Sequence, residues 1–342
     1  MATTARTDQQ PTTRAPGVFL VWGPPSHGPR SRVLAAALGL EPWFVHRVRR
    51  RGLLAAPAKY TYQAVATAWR LVRRRPRVVF VQSPPSFAAW LVAAHAALTG
   101  AHFVVDAHSD AMLTPWWTRP HWLNRLISRR AAATLVTNEH FAARLRGWGA
   151  DAIVLPDVPT AFCPGPAPVR DDRFLLTVVN TFAPDEPLEE IVEAARGLPD
   201  VDVRITGSLR RAPGRVPADV PANVTFTDFL PDSDYYGLLA ASDAVLCLTT
   251  RDHTMQRGAC EALSLGTPIV TSRWPLLQEY FDEGTVHVTN DADGIRDGVL
   301  RLRDDLTGYR AGVERLRSRR RAEWRVASAA LRALVEGSAP PR

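Results

Sequence analysis

Lysine is all but absent from this 342-residue chain. Of its 42 lysine and arginine residues, Lys59 is the only lysine. Arginine is therefore favoured by compositional bias, and its number alone selects no ligand; Lys59 itself reads as an exposed surface residue. Cysteine is also scarce. Cys163, Cys247 and Cys260 are an odd number at unpatterned spacings, so neither a disulfide framework nor a metal-ligand set follows from them, and a reducing compartment is the simplest setting. Long apolar runs are missing too, since none reaches the ~18–20 residues of a membrane-spanning helix. The longest candidate, Phe87 to Leu98, is too short and contains His95. Residues 1–16 lack the apolar core of a signal peptide and read as a disordered lead-in, as 338–342 read as a disordered tail. No G-x-G-x-x-G follows the first strand-like run, and there is no Walker A loop, H-E-x-x-H, G-x-S-x-G, zinc knuckle or RNA-binding signature. Dinucleotide enzymes, P-loop hydrolases, zinc proteases and serine hydrolases of the usual kinds are thereby disfavoured.

What is present is the balance of an ordinary globular protein, 46% hydrophobic and 22% charged, with a net charge of +8 that attracts polyanions. The length suggests two domains. Strand-like β-branched runs near 18–22, 43–45, 78–81, 103–106, 134–136 and 153–155 alternate with helix-length segments at 31–40, 60–74, 86–98, 121–132 and 140–148. Such alternation implies a parallel sheet with helices on both faces. Pro156, Pro159, Pro164, Pro166 and Pro168 then interrupt both kinds of element. The alternation restarts with strands near 175–179, 203–206, 224–226, 244–248, 268–271 and 285–288. Its helices fall near 188–195, 232–240, 258–265, 292–303 and 309–335. The expected organisation is an α/β chain with an N-terminal Rossmann-like domain at 17–156, a proline-rich linker at 157–172, a second Rossmann-like domain at 173–308, and a closing helix at 309–337 that packs back toward the first domain. Ligands of open α/β sheets sit beyond the carboxyl ends of the strands, so the site is expected in the cleft between two doubly wound domains.

The segment from Ala244 to Thr271 carries the most specific signal. A buried strand is followed by the loop Thr249-Thr250-Arg251-Asp252-His253-Thr254-Met255-Gln256-Arg257, then by Glu261-Ala262-Leu263-Ser264-Leu265-Gly266-Thr267-Pro268. This resembles the donor-binding segment of the large retaining family of GT-B glycosyltransferases, and the likeness covers most of 173–305. The resemblance implies a nucleotide-sugar donor, with Glu261 accepting the ribose hydroxyls and Thr254, Met255, Gln256, Arg257 and Gly258 around the diphosphate. The start of a helix there would favour the anion by roughly 0.3–2 kcal/mol. Two positions depart from the family. His253 replaces the first acid, and touches the donor sugar either as a neutral hydrogen-bonding group or as a cation on phosphate. The basic pair usual after the first strand is replaced by Thr181-Phe182-Ala183-Pro184-Asp185-Glu186, so Arg257, Arg251 or the pair Arg210-Arg211 must neutralise the diphosphate, while Asp185-Glu186 reads as a cap for the following helix.

In the first half, Val78-Val79-Phe80-Val81-Gln82-Ser83-Pro84-Pro85 and Val104-Val105-Asp106-Ala107-His108-Ser109-Asp110 resemble enzymes that glycosylate lipid-linked acceptors, among them dolichol-linked chitobiose mannosyltransferases. His108 and Asp110 are the catalytic candidates. Either can take the acceptor proton in an inverting reaction; in a retaining one the leaving phosphate takes it and His108 steadies the donor. Asp106 reads as a loop-turning residue. Arg30 and Ser31 are candidates for an acceptor phosphate, with Ser31 alternatively a helix N-cap, and Gln82 for the acceptor itself. The basic, then apolar, run from His46 to Leu54 and the stretch Pro115-Trp116-Trp117-Thr118-Arg119-Pro120-His121-Trp122 suit an anionic membrane surface.

Together these imply transfer of a sugar from a UDP- or GDP-sugar to a lipid-linked or polysaccharide-precursor hydroxyl, on the cytoplasmic face of the membrane, with no metal or bound cofactor. A catalytically silent GT-B scaffold that recruits a partner enzyme is the first rival, and a nucleic-acid binder, motivated only by charge, the second.

Overall fold

The computed structural model describes residues 17–25, 29–46, 56–211 and 214–337. The lead-in 1–16, the tail 338–342, Ser26–Gly28 of the first loop and the basic-to-apolar run from Arg47 to Leu54 lie outside the described residues.

The N-terminal half runs β1 (Gly17–Val21), α1 (Pro29–Ala37), β2 (Glu41–Phe44), α2 (Ala56–Arg74), β3 (Val78–Ser83), α3 (Ser86–Thr99), β4 (His102–Ala107), α4 (Ser109–Leu113), α5 (Pro115–Thr118), α6 (His121–Arg130), β5 (Ala133–Val136), α7 (Glu139–Gly147) and β6 (Ala152–Val154). Its strands form one parallel sheet in the order β2-β1-β3-β4-β5-β6. Every residue of β1 and β5 is buried, which is why these strands read as continuous apolar runs rather than alternating ones: helices cover both faces.

The second half repeats the plan with β7 (Phe174–Val178), α8 (Leu188–Arg196), β8 (Val201–Thr206), β9 (Val224–Asp228), α9 (Asp232–Ala241), β10 (Ala244–Cys247), α10 (Arg257–Leu265), β11 (Ile269–Ser272), α11 (Pro275–Tyr280), β12 (Thr285–Val288), α12 (Ala292–Asp304) and α13 (Leu306–Val335). Its six strands are ordered β12-β11-β10-β7-β8-β9. In the first sheet the chain reverses direction across the β1/β3 pair, in the second across β7/β10. Those are the topological switch points, and the loops after these four strands are where ligands of such sheets bind.

Four elements depart from the sequence-based expectation. The stretch after β4 folds into α4 and α5. An extra helix, α11, follows β11; Pro275 sits in its first turn, where a missing N–H costs nothing and a fixed φ helps. The last helix begins at Leu306 rather than Tyr309, because the Asp305 carboxylate accepts the Gly308 N–H at 3.1 Å and caps it.

Helix α13 belongs to both halves. Val313 and Leu316 pack with Leu239, Leu263 and Phe281 of the second half. Leu331, Val335 and Trp324 pack with Phe19, Leu34, Leu38 and Leu155 of the first. Near its beginning, Arg310 bonds the buried Asp243 at 2.8 Å, and Asp243 also accepts from Arg170 of the linker at 2.7 Å and from the Leu175 N–H at 2.9 Å. One carboxylate thus fastens the linker, β7 and α13 together. Leu331 is 1% exposed, so Leu331→Ala is expected to lower stability by about 2–5 kcal/mol in urea titration.

Candidate functional site

The carboxyl ends of the two sheets face each other across a cavity of about 530 Å³. Its first wall begins at β4. Side chains two apart on a strand share a side, which brings Asp106 and His108 together: His108 Nε2 lies 3.2 Å from Asp106 Oδ2. Asp106 is 1% exposed. Its other oxygen accepts from Arg30 Nη2 at 3.4 Å, and Arg30 also donates to the carbonyls of Leu155 at 3.0 Å and Pro156 at 3.5 Å. Burial pushes the Asp106 carboxyl up, but the charges of Arg30 and His108 and their hydrogen bonds outweigh it and hold the group at about 2. It is a carboxylate at every ordinary pH. Asp110, in the first turn of α4, accepts from Thr114 at 3.3 Å and lies 3.7 Å from Arg251 on the opposite wall.

The second wall is α10 and the loops after β7 and β10. Glu261 is 5% exposed and has both oxygens engaged: Tyr235 Oη donates to one at 2.7 Å and Arg257 Nε to the other at 2.7 Å. A carboxylate has about four lone-pair sites, so each oxygen retains capacity for a ligand hydroxyl. Burial and then the Glu261 charge push the Tyr235 phenol well up, so it remains a donor. The loop after β10 is pinned from behind. The Thr249 carbonyl accepts from Trp274 at 2.8 Å and Asn290 at 2.9 Å, and the Thr249 hydroxyl donates to Asp185 at 2.8 Å. This fixes the path of Arg251 through Gln256 along the cavity.

Two family models match the chain and between them take in both halves: a glycosyl transferase 4-like domain over residues 3–156 and a glycosyl transferase-like model over 185–334. The chain belongs to the GT-B glycosyltransferases. Its fold is similar to that of sucrose-phosphate synthase from Thermosynechococcus elongatus (TM-score 0.71, 16% identity, covering 94% of this chain and 88% of that one). It is also similar to Anabaena HepE in complex with UDP and glucose (TM-score 0.66, 12% identity, 93% and 99% covered). The glycosyltransferase of kitacinnamycin superimposes with a TM-score of 0.57 at 14% identity, with 95% and 99% covered. No curated protein matches the sequence.

In this glycosyltransferase the cavity gathers Arg30, Ser31, Gln82, His108 and Asp110 on one wall and Thr254, Met255, Gln256, Arg257 and Glu261 on the other. The structure alters several of the roles read from sequence. Arg30 borders the cavity, but its guanidinium is engaged by Asp106 and the carbonyls of Leu155 and Pro156 rather than free for an acceptor phosphate. Ser31 is 1% exposed; it lies inside α1 rather than capping it, and its hydroxyl donates to Gln82 Oε1 at 2.8 Å. Gly258 also has a packing role. A side chain there would come within 2.6 Å of Val179 and 3.0 Å of Cys247 Sγ, so glycine is required for seating α10 on the sheet. His253 does not line the cavity. It adopts a left-handed φ of 57° and stacks on His140 of the first half at 3.8 Å and 7°, while Asn138 donates to its carbonyl at 3.0 Å. The position of the family's first acid is here an interdomain contact.

Arg210 is exposed, beside Asp228 and away from the cavity. Trp117 packs edge-on against Tyr60 and Phe87, and its carbonyl accepts from Ser86 and Asn124, a structural role; Trp116 is exposed on the outer surface. Asp185 and Glu186 do not cap α8, whose N-cap, Pro187, has no side-chain bond. Glu186 instead accepts the N–H groups of Thr181 and Ala183, each at 2.8 Å, and so shapes its own loop. Asp106, read from the sequence as a loop-turning residue, is instead the buried partner of His108, two residues on. One lining residue went unread. Asp157, on the linker, also lines the cavity; burial raises its carboxyl against the opposing pull of Arg30.

The sign of the Asp106 effect gives a test. A carboxyl held at about 2 in the folded protein, against 3.8 as its ordinary value, contributes stability that is complete above about pH 4 and lost as pH falls toward 2, worth about 2 kcal/mol. In urea unfolding, the wild type is expected to lead Asp106→Asn at pH 5, with the gap narrowing by pH 3.

Proposed function

We propose that this glycosyltransferase moves a sugar from a nucleoside-diphosphate sugar, a UDP- or GDP-sugar, to a hydroxyl of a lipid-linked or polysaccharide-precursor acceptor, without a metal. The carrying observation is the opposition of two sets of groups across one cavity, Glu261–Arg257 on one wall and Asp106–His108 with Asp110 on the other. Glu261 suits the ribose hydroxyls. The N-terminal turn of α10, the loop Thr254–Gln256 and the cations Arg257 and Arg251 suit a diphosphate through charge and aligned N–H groups. Its leaving group would be stabilised there, while His108 or Asp110 receives the acceptor proton. The similar fold of HepE, in complex with UDP and glucose, favours a uridine nucleotide.

No described helix is long and apolar enough to cross a membrane, and the acceptor half carries an outer surface suited to lying on one. On α2, Val65, Trp69 and Val72 are exposed at successive turns, and Arg73 lies over the Trp69 ring at 5.4 Å. Trp116 and Trp122 are exposed on α5 and α6. Indoles favour the lipid–water interface and each nearby arginine adds about 1 kcal/mol on an anionic leaflet. We place the protein peripherally on the cytoplasmic leaflet on these grounds.

A silent GT-B scaffold is the second reading. It is favoured by the pairing of each arginine of the cleft with an acid, Arg30 with Asp106, Arg251 with Asp110 and Arg257 with Glu261, and by acids in the loop after β7.

Thermal shift with UDP, GDP, ADP, TDP and CDP separates the donors. A ligand at ~100 times its Kd stabilises the fold by about 2.7 kcal/mol; one diphosphate should do so in the wild type and fail in Glu261→Ala. Silence with all five, or release of no sugar from any nucleotide sugar, would overturn the enzymatic reading in favour of the scaffold. For the membrane, Trp69→Ser combined with Trp122→Ser should reduce sedimentation with phosphatidylserine vesicles several-fold. Unchanged sedimentation would remove this surface as the docking face.

A further inference from the structure

A second, smaller cavity of about 40 Å³ lies within the first domain, between strands β3, β4 and β5 and the helices α3 to α7 that cover them. At roughly 10–15 Å³ for each water-sized group, it has room for about three. No acidic side chain lines it. Some of its polar groups are already committed. Ser86 donates to the Trp117 carbonyl at 2.6 Å, and Asn124 accepts from Trp90 at 2.9 Å while donating to the same carbonyl at 3.0 Å. The uncommitted ones can all donate. Thr134, 2% exposed, has a buried hydroxyl with no partner. The hydroxyls of Ser83 and Ser128 have no protein partner among the described residues. Arg144 lies over the Trp148 ring at 5.2 Å and spends one N–H on the Met112 carbonyl at 3.1 Å, with no acid paired to it among the described residues.

A buried hydroxyl without a partner is costly, and its presence in a polar cavity points to a group that belongs there. Three free hydroxyls and a guanidinium, with no acid among them, call for an acceptor that carries negative charge. We propose that this cavity is a phosphate-binding subsite, separate from the cleft, that takes the terminal oxygens of a phosphate monoester on Arg144, Ser128, Thr134 and Ser83. The four donors come from four elements, α7, α6, β5 and β3, and so converge from different sides. A phosphate spreads three terminal oxygens about one atom and can meet such donors together, whereas a planar carboxylate offers its two oxygens along one edge. Three terminal oxygens also match the space for about three water-sized groups. The subsite does not depend on what the cleft binds.

The surroundings favour the same sign of charge. From Pro115 to Trp148 the chain carries six arginines and one acid, Glu139, which is paired with Arg146. Arg119, Arg125, Arg129 and Arg130 of this stretch are exposed on α6 and its two ends. Such a field raises the local concentration of anions outside the cavity. The subsite is also joined to the cleft through α4. Arg144 holds the Met112 carbonyl near the end of that helix, and Asp110 in its first turn faces Arg251 across the cleft. A phosphate on Arg144 therefore steadies the helix that carries Asp110. The shared chemistry has two sources, a free phosphate and the headgroup of a phosphate-monoester lipid, since Trp116 and Trp122 are exposed on the neighbouring α5 and α6.

The test is calorimetric titration of the full chain with inorganic phosphate, in parallel with sedimentation on vesicles. Phosphate should bind saturably to the wild type and to Arg257→Gln, which removes a cation of the cleft. Arg144→Gln and Thr134→Val should each weaken it about tenfold. Thr134→Val keeps the side chain's shape and deletes a hydroxyl that has no protein partner, so it serves where Arg144→Gln disturbs α4. Vesicles of phosphatidylcholine with phosphatidic acid, against phosphatidylcholine with phosphatidylserine, separate the sources. Binding to phosphatidic acid that falls in Thr134→Val, while binding to phosphatidylserine does not, assigns the lipid headgroup. Equal behaviour on both vesicles, with the free-phosphate effect intact, assigns the free anion. Absence of saturable phosphate binding, binding that Arg257→Gln abolishes, or affinity unchanged in both Arg144→Gln and Thr134→Val would overturn the proposal and leave the cavity to ordered water. None of these readouts needs a nucleotide sugar, so failure here is distinct from failure of donor binding in the cleft.

Discussion

A buried carboxylate must have a cation, and much of the first domain is arranged around that requirement. Leaving Asp106 enclosed without Arg30 would cost several kcal/mol. Arg30 is therefore held at the start of α1, close enough to reach the end of β4. The same guanidinium meets the carbonyls of Leu155 and Pro156, so the direction in which the chain leaves the domain is set by the ion pair too. His108, two residues on from Asp106, inherits a fixed place at the rim of the cavity. The start of α1, the end of β4 and the chain leaving β6 are thus positioned by one charge.

The second domain uses the same device twice. Asp243, behind the sheet, collects Arg170, Arg310 and a backbone N–H. Glu261, in front of it, collects Tyr235 and Arg257. The first is far from the cavity and holds elements together. The second lines it, and each of its oxygens has further accepting capacity. The difference between a structural and a ligand-facing acid here lies in whether a carboxylate with remaining capacity borders the cleft, which residue type and spacing do not report.

That difference explains what was legible in the sequence. The alternation of β-branched runs and helical segments gave both sheets, because parallel strands buried on two faces leave an unambiguous pattern. The Glu261–Pro268 run placed α10 correctly, and Asp-x-His placed β4's end at the cleft. Helix α11 was hidden because its six residues are too few to show a helical period, although Pro275 marks its start. His253 was misplaced for another reason. Family position implied a cavity residue, but a positive φ and the ring of His140, distant in sequence, turn it into a contact between domains. Trp117 likewise looked like a membrane residue until Tyr60 and Phe87 closed around it. Long-range packing decides such cases, and a single sequence records only one side of each contact.

Helix α13 has a mechanical consequence. The two domains are joined by the linker and again by this helix, which starts on one domain and ends in the core of the other. A single tether would let the domains swivel freely, whereas two crossings leave rotation about the line between them as the soft motion. Closure of the cleft then resembles a door hung at two points, with one swing coordinate to search. His140 on His253 and Asp110 near Arg251 are contacts between the two domains at the cleft's rim.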